Sequence, residues 1–183
     1  MFDFTAIDFE SADKYYPCSL GVAVVRNSQI VETRNWLIKR ICFPYFHFYA
    51  QRIRGIHKED VQNQPEFDEL WNEISPYIDG QILIAHNASF DINVLRKTLR
   101  HYKIALPSAR YFCSYQIARL VWKDSPKYSL DYLCNEMGFQ FEHHKSDCDA
   151  EACARLLLKE AEEIEVNDFQ ELKRKLKIRS PKV

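Results

Sequence analysis

Three stretches with β-strand character stand one after another at the start of this chain, and strands alternate with helices beyond them. This order restricts the fold more than any other feature. Residues 2–9 (FDFTAIDF) are apolar and aromatic over a length suited to a buried strand. Residues 19–26 (SLGVAVVR) form a second strand, Asn27-Ser28 a two-residue turn, and residues 29–38 (QIVETRNWLI) a returning third. A helix is predicted over 66–78, where Phe67, Leu70, Trp71 and Ile74 recur at helical spacing. A short buried strand comes next at Gln81–Ala85, then an amphipathic helix over 89–102, a strand at Tyr111–Cys113, and helices near 114–122, 129–136 and 147–163. Strands first antiparallel and then interleaved with helices imply an α/β fold, a mixed five-stranded sheet with helices on its faces. Residues 39–56, with Pro44 and many aromatics but no period, read as a long ordered loop.

Composition narrows the function. The 183 residues suffice for one domain, predicted over 1–163, with a charged helix or tail over 164–183. A formal net charge of -1 offers no global positive field for coating nucleic acid, so any such contact must be local or aimed at a short end. The four glycines, Gly21, Gly55, Gly80 and Gly138, are too dispersed for a dinucleotide fingerprint or a P-loop. No apolar run reaches a membrane span, the N-terminus lacks a signal-peptide pattern, and a cytoplasmic chain is expected. None of the six cysteines (Cys18, Cys42, Cys113, Cys134, Cys148, Cys153) forms a CxxC pair, so they read as small buried apolar residues in a reducing compartment.

The tail carries opposed charge blocks. Glu160, Glu162, Glu163, Glu165 and Asp168 precede Lys173, Arg174, Lys175, Lys177, Arg179 and Lys182. This is either a solvated helix or a contact for nucleic acid or a partner.

Four carboxylates sit where apolar residues would be ordinary. Asp8 and Glu10, two apart on a strand, point to one face. Burying both requires a compensating positive group, and a divalent cation with oxygen ligands fits; the alternative is that the strand ends at Ile7 and both acids reach water. Asp91 heads a helical stripe continued by Leu95, Leu99 and Tyr102, or else serves as a first-turn acid complementing the helix dipole. Asp149 heads Ala152, Cys153, Leu156 and Leu157, or else completes an S-x-x-D capping box with Ser146. His144, five residues before Asp149, can act as a base near neutral pH, or be a solvent-exposed or structural histidine.

In order, Asp8-Phe9-Glu10, His86-Asn87-x-x-Phe90-Asp91 and His144-x(4)-Asp149 resemble the DEDDh (DnaQ-like) 3′–5′ exonuclease superfamily, which includes the proofreading exonuclease subunit of bacterial DNA polymerase III. The resemblance spans most of residues 2–158, with Tyr128-Ser129-Leu130-x-x-Leu133 similar to the family's connecting helix. It implies a ribonuclease H-like fold and release of nucleoside 5′-monophosphates from single-stranded DNA or RNA 3′ ends. It also implies two divalent cations, Mg²⁺ or Mn²⁺, about 3.5–4 Å apart. Asp8, Glu10 and Asp149 would hold one ion, Asp8 would bridge to the second with Asp91 assisting, and His144 would take the proton from the attacking water. Phe9, Ile56, Asn87 and Phe90 would flank the terminal nucleotide, and a DNA polymerase subunit is a candidate partner.

The chain departs from the pattern at Ile53-Arg54-Gly55-Ile56-His57, where many relatives read I-H-G-I-T, and at Phe112-Cys113-Ser114. Arg54 could bind a phosphate bidentately, which bears on base and sugar preference. A different class of reading is an adaptor, a catalytically weak exonuclease fold docked on a polymerase or nuclease.

Overall fold

The computed structural model describes residues 1–11, 15–39, 41 and 55–183. A five-stranded sheet of order β3-β2-β1-β4-β5 forms the centre. Strands β1 (Phe4–Ser11), β2 (Pro17–Arg26) and β3 (Gln29–Leu37) are antiparallel, with Asn27 and Ser28 at positive φ in the β2–β3 turn. Strands β4 (Ile82–Ala85) and β5 (Arg110–Cys113) run parallel to β1. This is the mixed sheet the strand pattern predicts.

Strand β1 extends past Ile7 to Ser11, pairing Asp8 with Gly21 and Glu10 with Ser19. The reading in which the strand stops at Ile7 is therefore not what forms, and Glu10 is only 5% exposed. Alternation along β1 divides two cores. Phe4 and Ala6 belong to one apolar cluster, Ile7 and Phe9 to the other. Asp8 and Glu10 continue the Phe4–Ala6 face.

The helices α1 (Lys58–Val61), α2 (Phe67–Ile74), α3 (Ser89–His101), α4 (Ser114–Val121), α5 (Leu130–Glu136) and α6 (Ser146–Glu163) fall where apolar periodicity places them, α1 excepted. Helix α2 tightens into a 3₁₀ turn at Ser75–Tyr77, where Pro76 has no N–H to donate. Helices α2 and α3 cover the Ile7–Phe9 face, with Phe67, Leu70, Ile92 and Leu95 in its core. Helices α4, α5 and α6 cover the other, through Ile117, Leu133, Leu156 and Leu157.

A seventh helix, α7 (Phe169–Leu176), starts at an Asp168 cap that accepts from the N–H groups of Gln170 and Glu171. Its Phe169 ring stacks on Phe112 and meets Phe2 and Phe4 edge-on. Beyond it the chain returns to the sheet. Lys182 bridges Arg110, Tyr111 N–H donates to the Pro181 carbonyl, and Val183 N–H to that of Ala109. Most of the 39–56 loop, including Pro44 and Arg54, and also Cys42, lie outside the described residues. Among the described residues no helix is long and apolar enough to cross a membrane.

Candidate active site

The carboxyl ends of β1, β4 and β5 point the same way, because the three strands are parallel. Crevices beyond such ends are the usual ligand sites of open α/β sheets. Here β1 carries Asp8 and Glu10, the turn after β4 leads into Asp91, and α6 brings Asp149 across the sheet face.

Helix α6 reaches Asp8 and Glu10 because Gly21 has no side chain. A Cβ at Gly21 would collide with the backbone of Ser146 and Asp147 in the first turn of α6. Ser146 Oγ meets Ser19 Oγ at 2.5 Å and donates to Asn35 Oδ1 at 3.0 Å, which fixes the helix start over β2 and β3. The capping residue is Lys145, without a side-chain cap bond, so the capping-box reading of Ser146 and Asp149 is not realised.

One carboxylate oxygen from each of Asp8, Glu10 and Asp149 lies within 4.8 Å of the others. Glu10 and Asp149, 3% exposed, are buried, and Asp8 is half-buried. Burial lifts the Asp149 carboxyl above its ordinary pKa, and the His143 hydrogen bond opposes the rise. Its Oδ2 is buried with no hydrogen-bond partner. Three acidic oxygen donors and an orphaned carboxylate oxygen fit a hard divalent cation, which would replace the hydration that burial removed.

Asp91 stands outside this triad but beside it. It lies in the first turn of α3, is 2% exposed, and its Oδ1 accepts the Phe9 N–H at 2.9 Å. That bond joins α3 to the middle of β1, between Asp8 and Glu10. A solvated dipole-complementing acid would not be buried this way.

Two histidines flank the triad. His143 Nδ1–H donates to Asp149 Oδ1 at 2.6 Å. His144 Nδ1 lies 3.7 Å from Glu10 Oε1, and the two rings stack with centroids 4.0 Å apart. His144 has positive φ (70°), which turns successive side chains toward different carboxylates. Sequence reasoning singled out His144 and missed His143; adjacency of two histidines ahead of one aspartate was the available signal.

The substrate candidates are dispersed. The Phe9 ring is buried against Phe67, leaving its backbone at the site. Phe90 is half-buried on the same cluster, and Asn87 is exposed with φ 65° in the turn before α3. Ile56, packed near Cys18 and Val61, helps line a 490 Å³ cleft with Gly55, His143 and His144. His86 has a different part: its Nε2–H donates to the Tyr128 carbonyl at 2.8 Å and its Nδ1 accepts from Ser114 Oγ at 2.9 Å. It pins the end of β4 to the start of α4, and the Phe112-Cys113-Ser114 departure supplies its partner.

Comparison with known proteins agrees with this arrangement. The 3′-5′ exonuclease DinG of Staphylococcus aureus (strain USA300) is 27% identical over 156 residues, covering 84% of this chain. This chain spans only 17% of that relative's length. A structure of exonuclease X in complex with 5′ overhanging duplex DNA superposes with a TM-score of 0.72 at 22% identity, covering 86% of this chain and 90% of that one. The nuclease domain of 3′hExo, a DEDDh family member bound to rAMP, gives 0.77 at 12% identity, covering 99% and 97%. The model of the RNase_T exonuclease family matches residues 2–157, which include the four carboxylates and both histidines, and the chain belongs to that family, within the DnaQ-like superfamily its motif order resembles.

Proposed function

We propose that this chain is a metal-dependent 3′–5′ exonuclease that hydrolyses the terminal phosphodiester bond of single-stranded DNA or RNA and releases nucleoside 5′-monophosphates. The observation that carries the reading is the convergence of Asp8, Glu10 and Asp149 around an unpartnered Asp149 oxygen. The 3′–5′ direction in the relative's name and the mononucleotide in a neighbour's complex support it.

Asp8, Glu10 and Asp149 hold one divalent cation, and Asp8 with Asp91 a second, Mg²⁺ or Mn²⁺. When bound, such ions stabilise the negative charge that develops on the attacking and leaving oxygens. The chain's own side chains do the rest. The half-exposed His144, beside Glu10, takes a proton from the water whose oxygen forms the new P–O bond. The P–O3′ bond breaks, and the departing O3′ is protonated from solvent. His143 holds Asp149 in the orientation that turns it toward Asp8 and Glu10. The Gly55–Ile56 cleft beside His143 and His144 receives the terminal nucleoside.

The test uses 3′- and 5′-labelled single-stranded DNA and RNA with Mg²⁺ or Mn²⁺. The expected result is a ladder shrinking from the 3′ end, abolished by chelator and lowered by at least about 10²–10³-fold in Asp149→Ala. Cleavage that persists in Asp149→Ala, or a ladder shrinking from the 5′ end, overturns the reading.

A further inference from the structure

The basic end of the tail does not stay in solvent as a free appendage. Its return to β5 is antiparallel, with Lys182 opposite Arg110 and Pro181 bonded to Tyr111. Arg110 Nη1 also donates to the Ser180 carbonyl at 2.9 Å, and Arg96 Nη2 to that of Lys182 at 2.8 Å. Residues preceding Ser180 therefore lie toward the carboxyl end of β5, the end that faces the active site. There Arg179 and Arg119 line a 520 Å³ cleft together with Asn87, Ser89, Tyr111 and Tyr115.

Three observations give this cleft a chemical character. No carboxylate is among its lining residues, and two arginines are. Among the described residues neither Arg119 nor Arg179 is in an ion pair, although both are exposed. Arg119 lies over the rings of Tyr115 and Tyr128 at 6.0 Å from each, which limits its freedom and holds it for an anion. The cleft is also continuous with the active site. Asn87 and Ser89 on its wall lead within the first turn of α3 to Asp91, and the Tyr115 ring packs edge-on against His86. It opens on the opposite side of the carboxylates from the Gly55–Ile56 cleft.

We propose that the cleft between α4 and the returning tail is the track for the substrate strand upstream of its 3′ end, with Arg119 and Arg179 on consecutive phosphates and Tyr115 stacking a base. The proposal rests on the exonuclease reading above and adds a substrate property to it. Strands several nucleotides long bind through the cleft, and the shortest substrates do not. A chain of formal net charge -1 can hold a polyanion only through such a local cluster. Aromatic stacking beside cationic side chains is the usual way a single strand is held without sequence preference.

The experiment compares wild type with Arg119→Gln, Arg179→Gln and the double variant on two substrates. One is a single-stranded 12-mer; the other is the p-nitrophenyl ester of thymidine 5′-monophosphate, which has no upstream nucleotides. The expected result is a KM for the 12-mer raised roughly 10-fold in the double variant with kcat retained, and a slope of log affinity against log salt reduced by about 1. Hydrolysis of the ester should be unchanged. Loss on both substrates in parallel, or no change on either, overturns the proposal. Arg179→Gln lies on the tail and so separates phosphate binding from any disturbance of the α4 aromatic cluster by Arg119→Gln. Wild type inactive on both substrates overturns the exonuclease reading instead. The cleft is then tested by fluorescence anisotropy of the labelled 12-mer. Salt-dependent binding weakened in the double variant supports the track, and equal binding overturns it.

Discussion

Gly21 and Ser146 meet backbone to backbone, with no room between them for a single carbon. Gly21 is also the ladder partner of Asp8. One close approach therefore sets how far α6 can descend toward β1, and so where Asp149 stands relative to Asp8. Gly21→Ala must push the start of α6 outward or bend β2. Overpacking of this kind costs about 1–3 kcal/mol. The effect on cleavage should be larger than that cost suggests, since a displacement of about 1 Å at a reacting centre can cost about 10²-fold. Melting temperature and kcat measured together check this. The expected outcome is a folded protein with a modestly lowered Tm and a severely lowered kcat.

The two stacked histidines should separate into distinct roles. His144 is next to Glu10 and is assigned the proton; His143 is bonded to Asp149. His144→Ala should lower kcat by about 10²–10⁴-fold, the range for loss of a general base. It should leave the Tm increase produced by Mn²⁺ intact, because it removes no oxygen donor. His143→Ala releases the Asp149 carboxylate from the ring that orients it, so it should alter the Mn²⁺ concentration needed for that Tm increase. It should reduce kcat less at saturating metal. Metal titrations by thermal shift, alongside rates, check both. Reversal of the two patterns would move the base to His143.

How much of this arrangement could be read from residues alone depends on the range of the interaction. The strands and all but one of the helices of the sheet fold follow from local apolar periodicity, and the i, i+2 spacing puts Asp8 and Glu10 on one face. Asp91 and Asp149 stood out because each heads an apolar helical stripe, and both are buried. The Gly21–Ser146 approach is not local: nothing near residue 21 announces a helix start 125 positions later. The choice between His143 and His144 depends on the positive φ of His144, a torsion that composition does not reveal. The tail misled by its charges. Its dense acidic and basic blocks drew attention from Phe169 and Leu172, which are buried, and from the short bridge that binds residues 180–183 to β5.

Glu160 is a carboxylic acid in the core with nothing bonded to it. It lies on the inner face of α6, fully buried, and both its oxygens lack hydrogen-bond partners. Burial pushes its pKa well above the ordinary value. A carboxyl protonated in the folded state and ionised in the unfolded one costs stability as pH rises above about 4.3. Glu160→Leu removes that cost and fills the site with an apolar side chain, like Leu156 and Leu157 on the same helix. It should stabilise the protein by about 1–3 kcal/mol, the cost of an unbonded buried polar group. The gain should be larger at pH 8 than at pH 5. Urea unfolding at the two pH values checks the sign and the trend.

His86 works in the opposite pH direction. Its Nε2–H is given to Tyr128 and its Nδ1 accepts from Ser114, so the neutral ring satisfies both bonds and a second proton would break one. Desolvation lowers its pKa from 6.5 to about 4, outweighing the pull of the Tyr128 carbonyl and Asp131. Between these values the unfolded chain holds the extra proton and the folded one does not. The stability tied to the neutral ring is complete above pH 6.5, falls as pH drops through this window, and stops falling near pH 4. At about 1.36 kcal/mol per pH unit, the whole effect amounts to about 3 kcal/mol. His86→Gln cannot titrate. It should be less stable than wild type at pH 7 through the lost bonds, and its stability should decline more shallowly from pH 6.5 to 4. Denaturation curves of both proteins across that range test this by the difference in slope. Parallel curves would mean that the folded state accepts the proton at His86 without losing the anchor between β4 and α4.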